Sequence, residues 1–167
     1  HMKKLATRSA QYPLAAEFVF SSNEWVVDSV DGVKKTFGCT VANSTDPLEA
    51  GLTAATGLVF DCINMPPYAT IIGGEVIVET AFVGIGAGAT LNVGISGAAT
   101  ALISALDLDA AAAGSRTALT LTAPLTCNAG QNIRMTTAGL TAAATAGKVR
   151  VRVLYTIDGR GNEVVPA

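Results

Sequence analysis

The run Lys148-Val-Arg-Val-Arg-Val-Leu-Tyr-Thr-Ile-Asp158 alternates with a period of two, which puts Val149, Val151, Val153, Tyr155 and Ile157 on one face of an extended strand and Lys148, Arg150 and Arg152 on the other. This is the pattern of a half-buried antiparallel strand with a basic outer face. A strand of this kind needs neighbours, and the rest of the chain supplies short runs with the same period.

Glu17-Phe-Val-Phe20, Trp25-Val-Val-Asp-Ser-Val30 and Val33-Lys-Lys-Thr-Phe37 read as strands, the last two joined at Asp31-Gly32 by a hairpin whose two turn residues both take positive φ. Residues 41–56 carry Asn43, Ser44, Asp46, Pro47 and Gly51 and read as an irregular loop. Gly57 to Asn64 is a strand broken by Pro66-Pro67, and Ala69 to Val83 is one long strand with a bulge at Gly73-Gly74. On that strand Glu75, Ile77 and Glu79 share one face, and Val76, Val78, Thr80 and Phe82 the other.

Further strands are expected at Thr90–Gly94, Thr117–Leu121, Asn132–Thr136 and Lys148–Asp158, with Ser96-Gly97 as a stop. The Ala-rich stretch Ala98–Gly114 reads as one short helix, or as a compact insertion loop. Eight or nine strands and at most one short helix give an all-β fold, an antiparallel β-sandwich. A jelly roll fits best, and an immunoglobulin-like sandwich is the runner-up. The expected division is an N-terminal arm over residues 1–14, a single sandwich domain over 15–158 and a C-terminal tail over 159–167.

His1-Met2 reads as a cloning remnant, which leaves the native chain without histidine. That removes a histidine general base, a Ser-His-Asp triad and a histidine-containing zinc site together. Charged residues are 14% of the chain against about 25% for typical globular domains, and the net charge is −2. Scarce charge implies either a surface of Ala, Thr, Ser and Gly or one covered by copies of itself or by another protein, and the second is the expectation adopted. It gives no case for nucleic acid or an anionic membrane. No apolar stretch is long enough to span a bilayer without interruption, and Lys3, Lys4 and Arg8 are followed by Gln11, Tyr12 and Pro13 rather than by a signal-peptide core.

Cys39, Cys62 and Cys127 are odd in number and widely spaced, so free buried thiols are expected and metal binding is not. Gly84-Ile-Gly-Ala-Gly88 lacks the Lys-Ser/Thr of a phosphate loop and reads as a turn, and Asp107-Leu-Asp109 lacks the further ligands of a Ca²⁺ loop. Glu75 and Glu79 are four apart on a strand, roughly 13 Å between Cα atoms, which is too far for a catalytic carboxylate pair. No catalytic, cofactor or metal residue is assigned, no small-molecule ligand is expected, and the chain reads as a structural protein, not an enzyme. The five Phe and Trp25 are expected in the core, with Trp25 the first residue to test for carbohydrate binding.

What remains is charge. Glu75 and Glu79 set against Arg134, Lys148, Arg150 and Arg152 form acidic and basic strand faces that pair across a sheet or between subunits. Lys3, Lys4 and Arg8 belong to an arm that is either disordered or laid on a neighbour, the second being the way arms tie subunits together. These nine residues are the candidate interface with another subunit or with a partner protein.

Three segments carry a resemblance: Ile72 to Phe82, Thr90-Leu-Asn-Val-Gly-Ile-Ser-Gly97, and Ala146 to Arg160, about half the chain. Together they resemble head decoration, or cement, proteins of tailed bacteriophages with a jelly-roll body. The most specific parts are the Leu-x-Val-Gly-x-Ser-Gly strand end, where Ile95 replaces the family's frequent Asp, and the closing strand with Tyr-x-x-Asp-Gly-Arg. The resemblance implies a homotrimer on the outer surface of the capsid that binds the major capsid protein, in a virion assembled in a bacterial cytoplasm. The rival expectation is a receptor-binding or carbohydrate-binding module of a tail fibre, since jelly rolls also serve as lectins.

Overall fold

The computed structural model describes residues 12–37, 49–51 and 58–157. Residues 1–11, with Lys3, Lys4 and Arg8, and the tail beyond residue 157 lie outside the described residues, as do Cys39 and most of the 41–56 loop.

Twelve strands and no helix make up the described chain: β1 Leu14–Ser21, β2 Val26–Val27, β3 Lys34–Thr36, β4 Glu49–Gly51, β5 Val59–Ile63, β6 Ala69–Val83, β7 Thr90–Ile95, β8 Ala98–Asp107, β9 Arg116–Ala118, β10 Leu125–Cys127, β11 Ile133–Ala138 and β12 Ala146–Ile157. One sheet runs β1-β12-β6, with β9 and β10 end to end along the far edge of β6, and the facing sheet runs β5-β11-β7-β8. A small third sheet, β2-β3-β4, holds the one parallel pair among the described strands, β3 with β4. With β9 and β10 counted as one interrupted strand and the small sheet set aside, the strand orders are 1-8-3-6 and 2-7-4-5. That is the jelly-roll arrangement of two interlocked Greek keys. The all-β antiparallel sandwich expected from the sequence is the fold observed.

The closing strand behaves as its alternation dictates. Val149, Val151 and Val153 are at most 2% exposed and face the second sheet, while Lys148, Arg150 and Arg152 lie on the outer face. Opposite them Leu91, Val93, Ile133 and Met135 are fully buried. One end of the core is aromatic: Phe20 has its ring centre 5.0 Å from Phe37 and 5.4 Å from Phe60, and Phe37 lies 5.3 Å from Phe82. Such tilted pairs add about 0.5–1.5 kcal/mol each to the burial itself. Phe37 follows β3, so this cluster also ties the small sheet to the sandwich.

Three local expectations are corrected. Ala98–Asp107 is strand β8, not a helix or a loop. Ser96-Gly97 forms a two-residue turn with Gly97 at φ +89°, Ile95 pairs with Ala98, and Leu102 and Ile103 become buried. Pairing and burial outweigh the helix propensity of alanine, which is worth only tenths of a kcal/mol per residue against most alternatives. The Asp31-Gly32 hairpin exists, but its turn is wider than two residues: Asp28 N–H donates to Val33 O at 2.9 Å, Gly32 N–H donates to Asp28 O at 2.9 Å, and only Gly32 has positive φ.

In β6 the register against β12 slips at Ile72, one residue before the bulge expected at Gly73-Gly74, again at Glu79, and once more between Ala146 and Lys148. Between the slips the register is regular, yet Val76, Ile77 and Val78 are buried in succession. Ile77 does share the outer face with Glu75, flanked in register by Arg150 and Arg116, whose aliphatic stems account for its 8% exposure. The sequence pattern gave no sign of the three-residue strands β4 and β10.

Candidate functional site

Registers set by β12 bring its three basic residues between two acidic strands. Glu17 of β1 pairs with Arg152 on one side, and Glu75 of β6 pairs with Arg152 on the other. Because the bulge at Glu79 inserts one residue, that carboxylate reaches two cations, Lys148 Nζ at 3.0 Å and Arg150 Nε at 2.6 Å. Arg150 Nη1 reaches Glu17 at 2.8 Å, and Arg152 donates to Glu17 through Nε and to Glu75 through Nη1 at 3.4 Å. Arg116 of β9 completes the row with Nη1 at 2.9 Å from Glu75.

Seven charges thus cross the sheet in alternation, and each of the three carboxylates is held by two cations. The Arg152 and Arg150 guanidinium groups hold Glu17 below the usual carboxylate range, and Lys148 and Arg150 do the same for Glu79. Glu79 and Glu17 in turn raise Arg150. Charges this exposed contribute little individually, and an alternating row acts chiefly on strand register.

Of the interface residues expected from the sequence, Glu75, Glu79, Lys148, Arg150 and Arg152 come together, and their partners lie in the same chain. Arg134 does not join them. It belongs to β11 in the facing sheet, where its Nε donates to Asp61 of β5 at 2.7 Å, and Arg134 is the foremost cause of the lowered Asp61 pKa. Sequence reasoning missed Glu17 and Arg116. Glu17 carried a usable signal, since Phe18 and Phe20 point inward and residue 17 must point out. Arg116 lies in a turn-like Gly-Ser-Arg stretch with no periodicity to place it.

A second cluster was not expected at all. Lys35, 5% exposed, places Nζ 2.9 Å from Asp28 Oδ2 and 2.7 Å from Asp31 Oδ2. Asp28, 2% exposed, also accepts the amides of Val30 at 2.8 Å and Val59 at 3.1 Å. Burial pushes the Asp28 carboxyl up, but Lys35 and the two amides outweigh it, and the net shift is downward. For Lys35 burial lowers the pKa, the two carboxylates raise it more, and the net shift is upward. This clip fastens the 28–33 loop to β5, helped by Ser29 N–H donating to Val59 O at 2.6 Å and Asp61 N–H to Ser29 Oγ at 3.0 Å. A 400 Å³ concavity lies beside it, and Thr136 Oγ1 in its wall is buried without a hydrogen-bond partner.

Among the described residues no group of His, Cys, Asp and Glu is placed to hold a metal ion. Asp107 Oδ1 accepts the amides of Asp109 and Ala110, each at 3.0 Å, and so caps its own turn. Cys62 Sγ donates to Ile133 O at 3.4 Å, and burial pushes its thiol up to about 12, while burial also raises Cys127. Both thiols are free. The five Phe pack as expected, whereas Trp25 is 40% exposed at the mouth of a shallow 420 Å³ trough beside β1.

No protein-family model matches the chain, and no curated protein matches its sequence. Among solved structures, a chain of the cyanophage Pam1 capsid asymmetric unit matches with a TM-score of 0.61 and 20% identity, over 93% of this chain and 94% of that one. A chain of the capsid of Ralstonia phage GP4 matches at TM-score 0.47 and 14% identity, over 96% and 93%. At 20% identity the Pam1 likeness establishes a shared fold, from one end of each chain nearly to the other.

Proposed function

We propose that this chain is a structural protein of a tailed-phage head, a decoration or cement protein that binds the outer capsid shell as a homo-oligomer and stabilises it. The observation that carries the reading is the nearly full-length fold shared with a chain of a phage capsid asymmetric unit. The scarcity of charge agrees with it, because most of the sheet-face charges are engaged within the chain and leave Tyr12, Val27, Val30, Tyr68, Ile72 and Val83 more than 40% exposed. Apolar side chains of this size on a small domain suit protein partners.

Light scattering coupled to size-exclusion chromatography is expected to show an oligomer, a trimer on this reading. Co-sedimentation is expected to show binding to expanded phage heads in preference to procapsids. A chain that is monomeric at micromolar concentration and fails to sediment with heads refutes the proposal.

A further inference from the structure

β1 is the edge of its sheet, and its outer side is open. Ser22 N–H donates to Gly147 O at 2.9 Å, and the register runs unbroken from Leu14 opposite Tyr155 to Ser21 opposite Lys148. The even-numbered residues of β1 therefore bond β12, while the amides and carbonyls of Ala15, Glu17, Val19 and Ser21 point away from the sheet. At Ser21 both groups are satisfied locally: the Glu24 carboxylate accepts its N–H at 2.7 Å, and Glu24 N–H donates to its carbonyl at 3.1 Å. No described residue bonds the outward groups of Ala15, Glu17 and Val19. Three donors and three acceptors thus lie along about 17 Å of strand.

The other edges of the two large sheets are short or partly covered. The 28–33 loop covers β5 at Val59 and Asp61, Thr120 N–H caps Leu102 of β8 at 2.8 Å, and β9 and β10 are three residues each. Folded proteins blunt such edges with lysines, proline, bulges or covering loops. The span Leu14–Ser21 has none of these, and its one charge, Glu17, lies back over β12 on Arg150 and Arg152.

A strand added to this edge sets alternate side chains on the inner side, and a receptor for one already lies there. The 420 Å³ trough is lined by Phe18, Val19, Phe20, Glu24, Trp25 and Val26. Main-chain bonding along an open edge, with a pocket for alternate side chains, is the mode by which sheets capture extended segments.

We infer that the β1 edge is the acceptor for residues 3–8 of a second copy, Lys-Lys-Leu-Ala-Thr-Arg, added as an extended strand. As a strand this segment carries Lys4, Ala6 and Arg8 on one side and Leu5 on the other. Leu5 matches the apolar trough, and the two basic residues flank Glu17 on the outer face at cross-strand diagonal distances. Pro13 fixes φ near −65° and has no N–H at the entry to β1, and with the chain read as self-associating the acceptor edge is that of a neighbouring copy. Direct pairing of β1 with β1 of a second copy would instead set Glu17 against Glu17 or shorten the overlap. The inference rests on the reading of the chain as a self-associating capsid protein, and it names the contact.

The test separates donor from acceptor in the full chain. Val19→Pro deletes an outward N–H and leaves the β12 ladder intact, a setting in which a strand tolerates proline. Leu5→Asp alters the donor segment and changes none of the described residues. Each variant alone is expected to keep the near-UV circular dichroism of the parent and to raise the assembly dissociation constant about tenfold or more, as loss of one or two main-chain bonds and an apolar anchor requires. Mixed one to one, they are expected to form a dimer, because the arm of the proline variant fits the intact edge of the other. Ala15→Pro repeats the acceptor test should Val19→Pro lose the native spectrum. Proline variants that assemble like the parent overturn the inference, as does an unimpaired Leu5→Asp, a parent chain monomeric at 100 µM or a mixture that stays monomeric. Head binding is measured separately: a chain that exchanges arms but ignores phage heads refutes the proposed function and leaves the exchange standing.

Discussion

Asp28→Ala is the substitution for which the structure gives the clearest magnitude. It takes from a nearly fully buried position the carboxylate that bonds Lys35 Nζ at 2.9 Å and the Val30 and Val59 amides at 2.8 and 3.1 Å. Lys35, 5% exposed, keeps only Asp31, and the Val59 amide at the head of β5 keeps no acceptor. Removing one member of a buried ion pair costs about 3–5 kcal/mol, most of it from the charge left behind. In a domain of this size each kcal/mol lowers Tm by about 2–4 °C, so a fall of about 6–20 °C is expected in a thermal melt at pH 7. Asp28→Leu with Lys35→Met, which removes both charges, should cost less than the sum of the two single changes.

The pH dependence carries a definite sign. The folded pKa of Asp28 lies below its unfolded value near 3.9, so its contribution is complete above about pH 5 and disappears as pH falls through the depressed value. The folded pKa of Lys35 is raised, so that contribution persists to alkaline pH and is lost only as pH rises through it, above about 10.4. The gap between parent and Asp28→Ala should be level from about pH 5 to 10 and narrow below about pH 4. A loss below about 2 °C at pH 7, or a gap that stays constant down to about pH 2, refutes the reasoning.

Gly94→Ala should lower stability by about 1–3 kcal/mol in urea titration, because its Cβ would stand 2.1 Å from Ala98 O and 2.5 Å from Ala99 C, both backbone atoms of β8; a neutral result would show that the β7-β8 hairpin adjusts freely. Arg150→Glu places a third carboxylate between Glu17 and Glu79, so Tm should fall at low salt and the deficit should shrink in 1 M NaCl, and a salt-independent deficit would assign the effect to packing. Iodoacetamide at pH 8, followed by peptide mass spectrometry, should leave Cys62 and Cys127 unmodified in the native protein and modify both in urea; prompt native labelling of Cys62 contradicts its burial and raised pKa.

The sandwich was legible because most of its strands have one wet face, and one wet face writes a period of two into the sequence. β12 and β1 read cleanly for that reason. β8 did not, since its alanines are small enough for a helix, a loop or a strand, and the choice falls to the Ser96-Gly97 turn and to the partner edge of β7. The motif Leu91-x-Val-Gly-x-Ser-Gly97 gains a physical account: Leu91 and Val93 are fully buried, Gly94 admits the returning backbone, and Gly97 supplies φ +89°. The charged row was half legible, its β12 and β6 members from alternation, its ends Glu17 and Arg116 only from topology. Arg134 shows the limit of the method, because charge type alone does not say which sheet a strand joins. The Lys35 clip was invisible, since Asp28, Asp31 and Lys35 look like ordinary turn and surface residues until the loop closes on β5.

The place of β12 between β1 and β6 has a consequence for biosynthesis. Leu14 bonds opposite Tyr155, so the first strand of the sheet waits for the last before it has any partner on that side. Until β12 emerges from the ribosome, β1 and β6 each offer a bare apolar strand, and such long-range closure is slow compared with local pairing. Nascent chains on one message are therefore at greatest risk of joining wrongly before synthesis ends, and strand-to-strand capture between copies becomes orderly only after β12 is in place.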